Sequence, residues 1–315
     1  MQIARHPKAG AGLAERLWIY QAERFPLFKT GLLLLVFSAA SISISAHLGG
    51  RPLPGWPVFA SVWAVTFILF FQMRACDEWK DLEDDRTYRP ERPIPSGLIS
   101  LRFVIITAIA AAGLALLLAG NIYPLLLLPL ALVWVWLALM TAEFFAPKWL
   151  KARPLIYLVT HMAIMPLIDL FITAAEWLPH GNSPPAGLWL FLALSFTNGC
   201  VLEIGRKIWA PDSEREGVET YSGLWGAKRA AYIWCGICAA AWLLLSALGW
   251  AVGAPLLISG LGFIALAIAT ITALRFIRAP SRAGEKAIEN IAGLWVFICY
   301  AVAGFAPALA NWVAA

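Results

Sequence analysis

Nine apolar runs, each about as long as a bilayer-crossing helix, leave this chain few ways to fold. Crossing the hydrocarbon core as a helix takes roughly 20 apolar residues. The runs lie at about 30–48, 56–75, 101–119, 123–145, 155–175, 188–205, 227–250, 255–274 and 291–314. Hydrocarbon offers no hydrogen bonds, so each run is expected to satisfy its own backbone as a helix. Pro129, Pro166, Gly262 and Pro307 lie inside runs, where neighbouring helices can re-satisfy the freed groups. Composition agrees: 61% of the residues are hydrophobic and 14% charged, where a soluble domain carries about 25% charged. The expected fold is an all-α membrane protein with nine transmembrane helices, a single integral-membrane domain over residues 1–315. Residues 1–29 are polar and mixed in charge, without the apolar core of a cleavable signal. They are expected to form a cytosolic N-terminal segment.

The connections alternate in charge. Those after the second, fourth, sixth and eighth runs carry Lys80, Arg86, Arg89 and Arg92; Lys148, Lys151 and Arg153; Arg206, Lys207, Arg215, Lys228 and Arg229; and Arg275, Arg278, Arg282 and Lys286. With Arg5, Lys8, Arg16, Arg24 and Lys29 before the first run, and Arg74 and Arg102 flanking the first large loop, 23 of the 24 basic residues fall on one side. Only Arg51 falls on the other. The positive-inside rule then makes the N-terminus cytosolic and the C-terminus external. The expected location is a multi-pass integral membrane protein with its polar loops toward the cytosol, in the inner membrane if the cell is bacterial. A net charge of +5 reflects this bias rather than an affinity for nucleic acid. The five cysteines are expected to be free; Cys235-Gly-Ile-Cys238 lies inside an apolar run, where small buried residues serve packing.

The chemistry is concentrated in the connection after the second run. Asp77-Glu78-Trp79-Lys80-Asp81-Leu82-Glu83-Asp84-Asp85-Arg86 packs six of the chain's 19 acidic residues into the nine positions 77–85. Asp77, Asp81 and Asp85 are spaced i, i+4, i+8, so a continuing helix puts them on one face with about 40° of drift per step. Glu78 borders that face. A stripe of carboxylates repels itself unless a cation sits there. Oxygen-only ligands point to Mg²⁺, which binds through one or two carboxylates plus substrate phosphates. Lys80, Arg86, Arg89 and Arg92 supply phosphate-binding cations, with Pro90, Pro93 and Pro95 holding the chain extended between them.

A second acidic connection follows the sixth run. Glu203 lies near the end of the run, with Arg206 and Lys207 beyond it, and Asp212 and Glu216 are four apart in Asp212-Ser213-Glu214-Arg215-Glu216. Glu203 is a functional candidate by its depth in the membrane. Asp212 and Glu216 are expected to hold metal beside Asp77, Glu78, Asp81 and Asp85, with Arg206 and Lys207 contacting phosphate. The two loops are expected to form halves of one site. Three further polar residues lie in runs: Glu143, His161 and Asp169, the last a candidate for structural pairing. The external loops, including His180-Gly181-Asn182-Ser183, carry little that could do chemistry.

These motifs resemble the UbiA superfamily of intramembrane prenyltransferases. Its first motif, NDxxDxxxD, is matched here by Asp77 for Asn, Glu78 for Asp, and Asp81 and Asp85 directly; Arg92-Pro-Ile-Pro-Ser-Gly97 is also typical of it. Its second motif, DxxxD, reads DxxxE at Asp212 and Glu216, which implies a divergent subfamily. The resemblance implies a UbiA-like bundle of nine helices with both motifs on cytosolic loops. It also implies Mg²⁺, a prenyl diphosphate donor, and a hydrophobic acceptor, aromatic or lipid-like, that an allylic carbocation attacks among membrane lipids. Asp77, Asp81, Asp85, Glu203, Asp212 and Glu216 would be the catalytic carboxylates. A terpene cyclase on the same scaffold would ionise the same diphosphate without an acceptor. A divalent-cation transporter would need polar residues near the midplane and access to the outer face, whereas the polar residues here crowd the cytosolic loops.

Overall fold

The structure is a computed structural model. It describes residues 11–181, 183–215 and 217–314, with 311–314 described by backbone alone. Arg5, Lys8, Asn182 and the site candidate Glu216 lie outside the described residues. The described chain is helical throughout. An amphipathic helix α1 (Leu13–Arg24) precedes α2 (Leu27–Gly49), α3 (Trp56–Lys80), the short α4 (Leu82–Tyr88), α5 (Leu101–Ile122), α6 (Leu127–Thr141) and the short α7 (Pro147–Lys151). Then come α8 (Pro154–Met162), α9 (Ile164–Trp177), α10 (Leu188–Gly205), the short α11 (Tyr221–Trp225), α12 (Ala227–Ala251), α13 (Pro255–Arg278) and α14 (Arg282–Ala314). Nine segments among the described residues are long and apolar enough to cross a membrane, α8 and α9 together making the fifth.

Two boundaries differ from the sequence expectation in ways that matter. The second span does not stop near residue 75: α3 runs on to Lys80 and carries Asp77 and Glu78 on its last turns. The fifth span breaks at Ala163. Pro166 lacks the N–H that would donate to the Met162 carbonyl, and its ring crowds that carbonyl, so the regular helix is interrupted there. Cys235 and Cys238 are free, as are the other three cysteines.

The spans are not equally buried. Within the span formed by α10, 61% of the hydrophobic window is buried, against 22% for α5. Helices α2, α9, α10 and α14 pack on one another as the inner layer, while α5, α6 and α13 turn broad faces outward. Lipid tails are as apolar as leucine, so close packing of small residues has to draw the inner helices together. A Cβ on Gly304 of α14 would stand 2.4 Å from the Ala40 backbone of α2, and one on Gly205 would stand 2.6 Å from Ala292.

One buried polar network ties all four inner helices. Asp169 on α9 accepts from Ser41 Oγ of α2 at 2.7 Å and from the Tyr300 hydroxyl of α14 at 2.6 Å. Ser195 Oγ of α10 lies 3.1 Å from the same hydroxyl. Toward the other end, Glu176 accepts from Arg51 at 2.6 and 2.9 Å and from Ser45 Oγ at 2.7 Å. These are structural pairings, and they account for Asp169 without chemistry. Asp169→Ala leaves two buried hydroxyls without their acceptor and is expected to lower stability by about 1–3 kcal/mol. Thermal unfolding in detergent checks this, and an unchanged midpoint would show that the network carries no load.

Candidate active site

The connections after the second, fourth, sixth and eighth spans meet at one end of the bundle. Hydrogen bonds of i to i−4 type continue across the α3–α4 junction, from Asp81 N to Asp77 O at 2.9 Å and from Asp85 N to Asp81 O at 2.8 Å. Asp77, Asp81 and Asp85 therefore do succeed one another at helical spacing, although Asp81 itself has relaxed to φ −90°, ψ 5°.

Their side chains part company. Asp85 is buried and held by Arg92 at 2.6 Å, Arg89 at 3.4 Å and Arg24 at 3.9 Å. Glu78 is buried against Arg24 at 2.6 Å and Arg74 at 2.8 Å. Both were expected to hold a metal; the structure pairs them with arginines, because a carboxylate removed from water needs a compensating charge. Arg24 arrives from α1, whose Tyr20 and Ile19 pack against Ala75, Leu98 and Ile99. Arg86 pairs with Glu83 at 2.6 Å on the exposed surface, a contact worth at most about 1 kcal/mol. Arg89 and Arg92, expected to hold phosphate, spend their nearest contacts on Asp85.

Asp77 and Asp81 are left without a cation within 4 Å among the described residues. Burial pushes the Asp81 carboxyl above its usual range, and the nearby Lys80 charge only partly opposes this. A positive ion near Asp81 would oppose that rise. The donor set fits magnesium, which takes carboxylate oxygens and keeps waters and phosphate for its other positions. Among the described residues, no three His, Cys, Asp or Glu side chains converge tightly enough to hold an ion by themselves.

In the second loop, Glu203 is buried and paired with Arg206 and with Lys207, the latter at 3.0 Å. Asp212 sits exposed on a single 3-10 turn, its main-chain oxygen 3.2 Å from Arg282 Nη2. The loop is stitched closed by Tyr221 N to Lys207 O at 3.0 Å, Trp209 N to Ser222 Oγ at 2.7 Å and Ala210 N to Glu285 at 2.8 Å. Thr220 caps α11 and donates to Glu214 at 2.7 Å. Burial, then the Glu203 charge, raises the Tyr221 phenol far above its ordinary range. The two loops touch where Tyr88 meets Gly217: a Cβ there would stand 2.6 Å from the ring, and φ is +77°.

Sequence reasoning named Lys80, Glu143 and His161 but missed Tyr157 and the cluster these four residues form. Lys80 Nζ donates to the Tyr157 hydroxyl at 2.6 Å and lies 3.7 Å from buried Glu143. Tyr157 stacks on His161, and Phe144 stands edge-on to that ring. Glu143, Phe144 and Phe145 have φ of 46°, 50° and 58°, a left-handed turn with no glycine. Such residues cost roughly 1–2 kcal/mol each, and strain of this kind gathers where function demands it. The turn aims Glu143 inward at Lys80. Nothing in the spacing of 141–147 announces a left-handed turn; the only signal was a carboxylate at the end of a span.

Gly217→Ala is expected to cost about 1–3 kcal/mol by crowding Tyr88. Tyr88→Ala in the same chain should recover part of that loss, since the clash goes while the strain at positive φ stays. Unfolding of the four forms measures the coupling; equal losses in both backgrounds would show that the loops do not meet there.

A model of the UbiA prenyltransferase family matches residues 34–298. No curated protein sequence matches the chain. Among solved structures, the apo form of a UbiA homologue from Aeropyrum pernix K1 is 17% identical, with a TM-score of 0.65 over 88% of this chain and 98% of its own. A structure of digeranylgeranylglyceryl phosphate synthase is 18% identical, with a TM-score of 0.58 over 89% and 98%. A UbiA homologue from Archaeoglobus fulgidus is 18% identical, with a TM-score of 0.50 over 90% and 98%. These likenesses establish a shared fold, and the family match runs from the first span to the ninth. The chain is an integral membrane protein that belongs to the UbiA prenyltransferase family.

Proposed function

We propose that this protein transfers a prenyl group from a prenyl diphosphate to a hydrophobic acceptor, aromatic or lipid-like, at a site facing the cytosol. One observation carries the reading. In the first acidic motif, arginines neutralise Glu78, Glu83 and Asp85, while Asp77 and Asp81, one turn apart and beside Lys80, have no such partner among the described residues. Family membership makes prenyl diphosphate the natural ligand, and the charge asymmetry of the loops puts the site on the cytosolic side.

Asp77 and Asp81 would hold magnesium, with Asp212 and Glu216 of the second acidic motif as further candidates. Bound there, magnesium would stabilise negative charge on the leaving diphosphate. Lys80 would bind a phosphate oxygen, and Arg206 and Lys207, anchored on Glu203, would bind the far phosphate. Fixed cations of this kind favour the transition state because charge grows on the leaving group as the C1–O bond lengthens. Glu78 and Asp85 serve differently from the sequence expectation: they orient Arg74, Arg89 and Arg92 and fasten α1. The apolar spans exclude water from the carbocation, and the Tyr157 ring offers it a π face.

The test uses the full chain in proteoliposomes with prenyl diphosphates of several lengths. Diphosphate release should require Mg²⁺, stop with EDTA and return on readdition. Asp77→Ala and Asp81→Ala should each lower it by roughly 100-fold or more, with the fold retained. Full activity in both variants would remove these two residues from the site. A product containing donor and acceptor supports transfer, whereas a cyclised hydrocarbon or alcohol would replace transfer with cyclisation.

A further inference from the structure

His161 closes α8, immediately before the break at Ala163. Its ring is buried and lies flat on Tyr157, with centroids 3.8 Å apart and 10° between the planes. Nδ1 is 2.9 Å from the Tyr157 main-chain oxygen. A carbonyl oxygen only accepts, so Nδ1 carries the ring proton and Nε2 holds a bare lone pair. That nitrogen is fully buried and has no hydrogen-bond partner among the described residues. Buried polar atoms are nearly always paired. An unpartnered acceptor of this kind implies a donor that is brought by something else.

The surroundings say what brings it. Tyr157 links His161 directly to Lys80, 2.6 Å from the phenol oxygen. His161's helix α8 also packs on α10, the helix that carries Glu203. Through Tyr157 the ring is joined to Lys80, one of the cations that would hold diphosphate. We infer that His161 Nε2 accepts the proton that the acceptor substrate gives up, an inference that rests on the prenyl-transfer reading above.

The step balances. The C1–O bond of the donor breaks and its electron pair leaves with diphosphate. The nucleophilic atom of the acceptor forms a new bond to C1 and its proton passes to Nε2, giving an imidazolium and the prenylated product with the rest of its charge unchanged. The imidazolium returns its proton to released diphosphate or water before the next turnover. Closure of Nε2 from bulk solvent suits the role, since water admitted there would compete for the carbocation.

Two measurements test this. In proteoliposomes with Mg²⁺ and geranylgeranyl diphosphate, product and diphosphate are quantified together, with 4-hydroxybenzoate or a glyceryl phosphate monoether as acceptor. His161→Ala and His161→Gln should lower product by about 100-fold or more, the lower range for a lost general base, and lower diphosphate release far less. Gln reproduces an acceptor atom without taking a proton, so product retained by His161→Gln overturns the inference. Product and diphosphate falling in parallel overturns it too, because His161 would then serve ionisation or folding. The second measurement needs no acceptor. ¹⁵N-histidine spectra of the wild type in nanodiscs, with His161→Gln to assign the signal, should show Nδ1 protonated and Nε2 bare at neutral pH. The opposite tautomer overturns the inference. Failure of the wild type to release diphosphate from any donor would instead defeat the transfer reading, leaving the spectrum to decide the state of His161.

Discussion

A carboxylate in or beside hydrocarbon has to be neutralised, and that requirement organises the whole molecule. Its charged form is costly to desolvate, and removing one partner of a buried pair typically costs 3–5 kcal/mol. Asp169 meets the requirement with hydroxyls from α2 and α14, and Glu176 meets it with Arg51 and Ser45. Glu203 uses Arg206 and Lys207, Glu78 uses Arg24 and Arg74, and Asp85 uses an arginine cluster. Each pairing joins elements distant in sequence or fixes a loop to a span end. The bundle is thus held by its polar residues as well as by its close-packed small ones.

The same accounting separates structural from available carboxylates. Once every paired group in the first motif is set aside, Asp77 and Asp81 remain beside Lys80, with exposed Asp84 facing solvent. This is a smaller acidic face than the run of six suggests, and it is better matched to magnesium, which takes few carboxylates and leaves room for phosphate. It also weakens the transporter alternative. Asp169 and Glu176, the carboxylates inside the fifth span, are paired within the bundle.

The connection between α6 and α8 adds what the two acidic loops lack. Its left-handed turn and the Pro166 break in the fifth span place Glu143, Tyr157 and His161 around Lys80. Cations that draw charge onto a leaving group and a base that removes a proton from a nucleophile are complementary halves of one transfer. The interruption before Pro166 falls between His161 on α8 and Asp169 on α9, so one span contributes both the Asp169 staple and His161.

Much of this protein was determined by its sequence alone. Apolar run length set the number and place of the spans, because lipid admits only self-satisfied backbone, and motif spacing located both acidic loops. The i, i+4, i+8 spacing survived in the backbone of α3 and α4. What the sequence could not decide was which carboxylate meets which cation. Spacing places residues on a face, but pairing depends on side chains arriving from elsewhere, such as Arg24 from α1 onto Glu78 and Asp85. The turn at Glu143–Phe145 is likewise a tertiary decision, since none of its residues favours positive φ. Local pattern placed the charges at the membrane edge; only the folded bundle sorted them into those that hold the structure and those free to act.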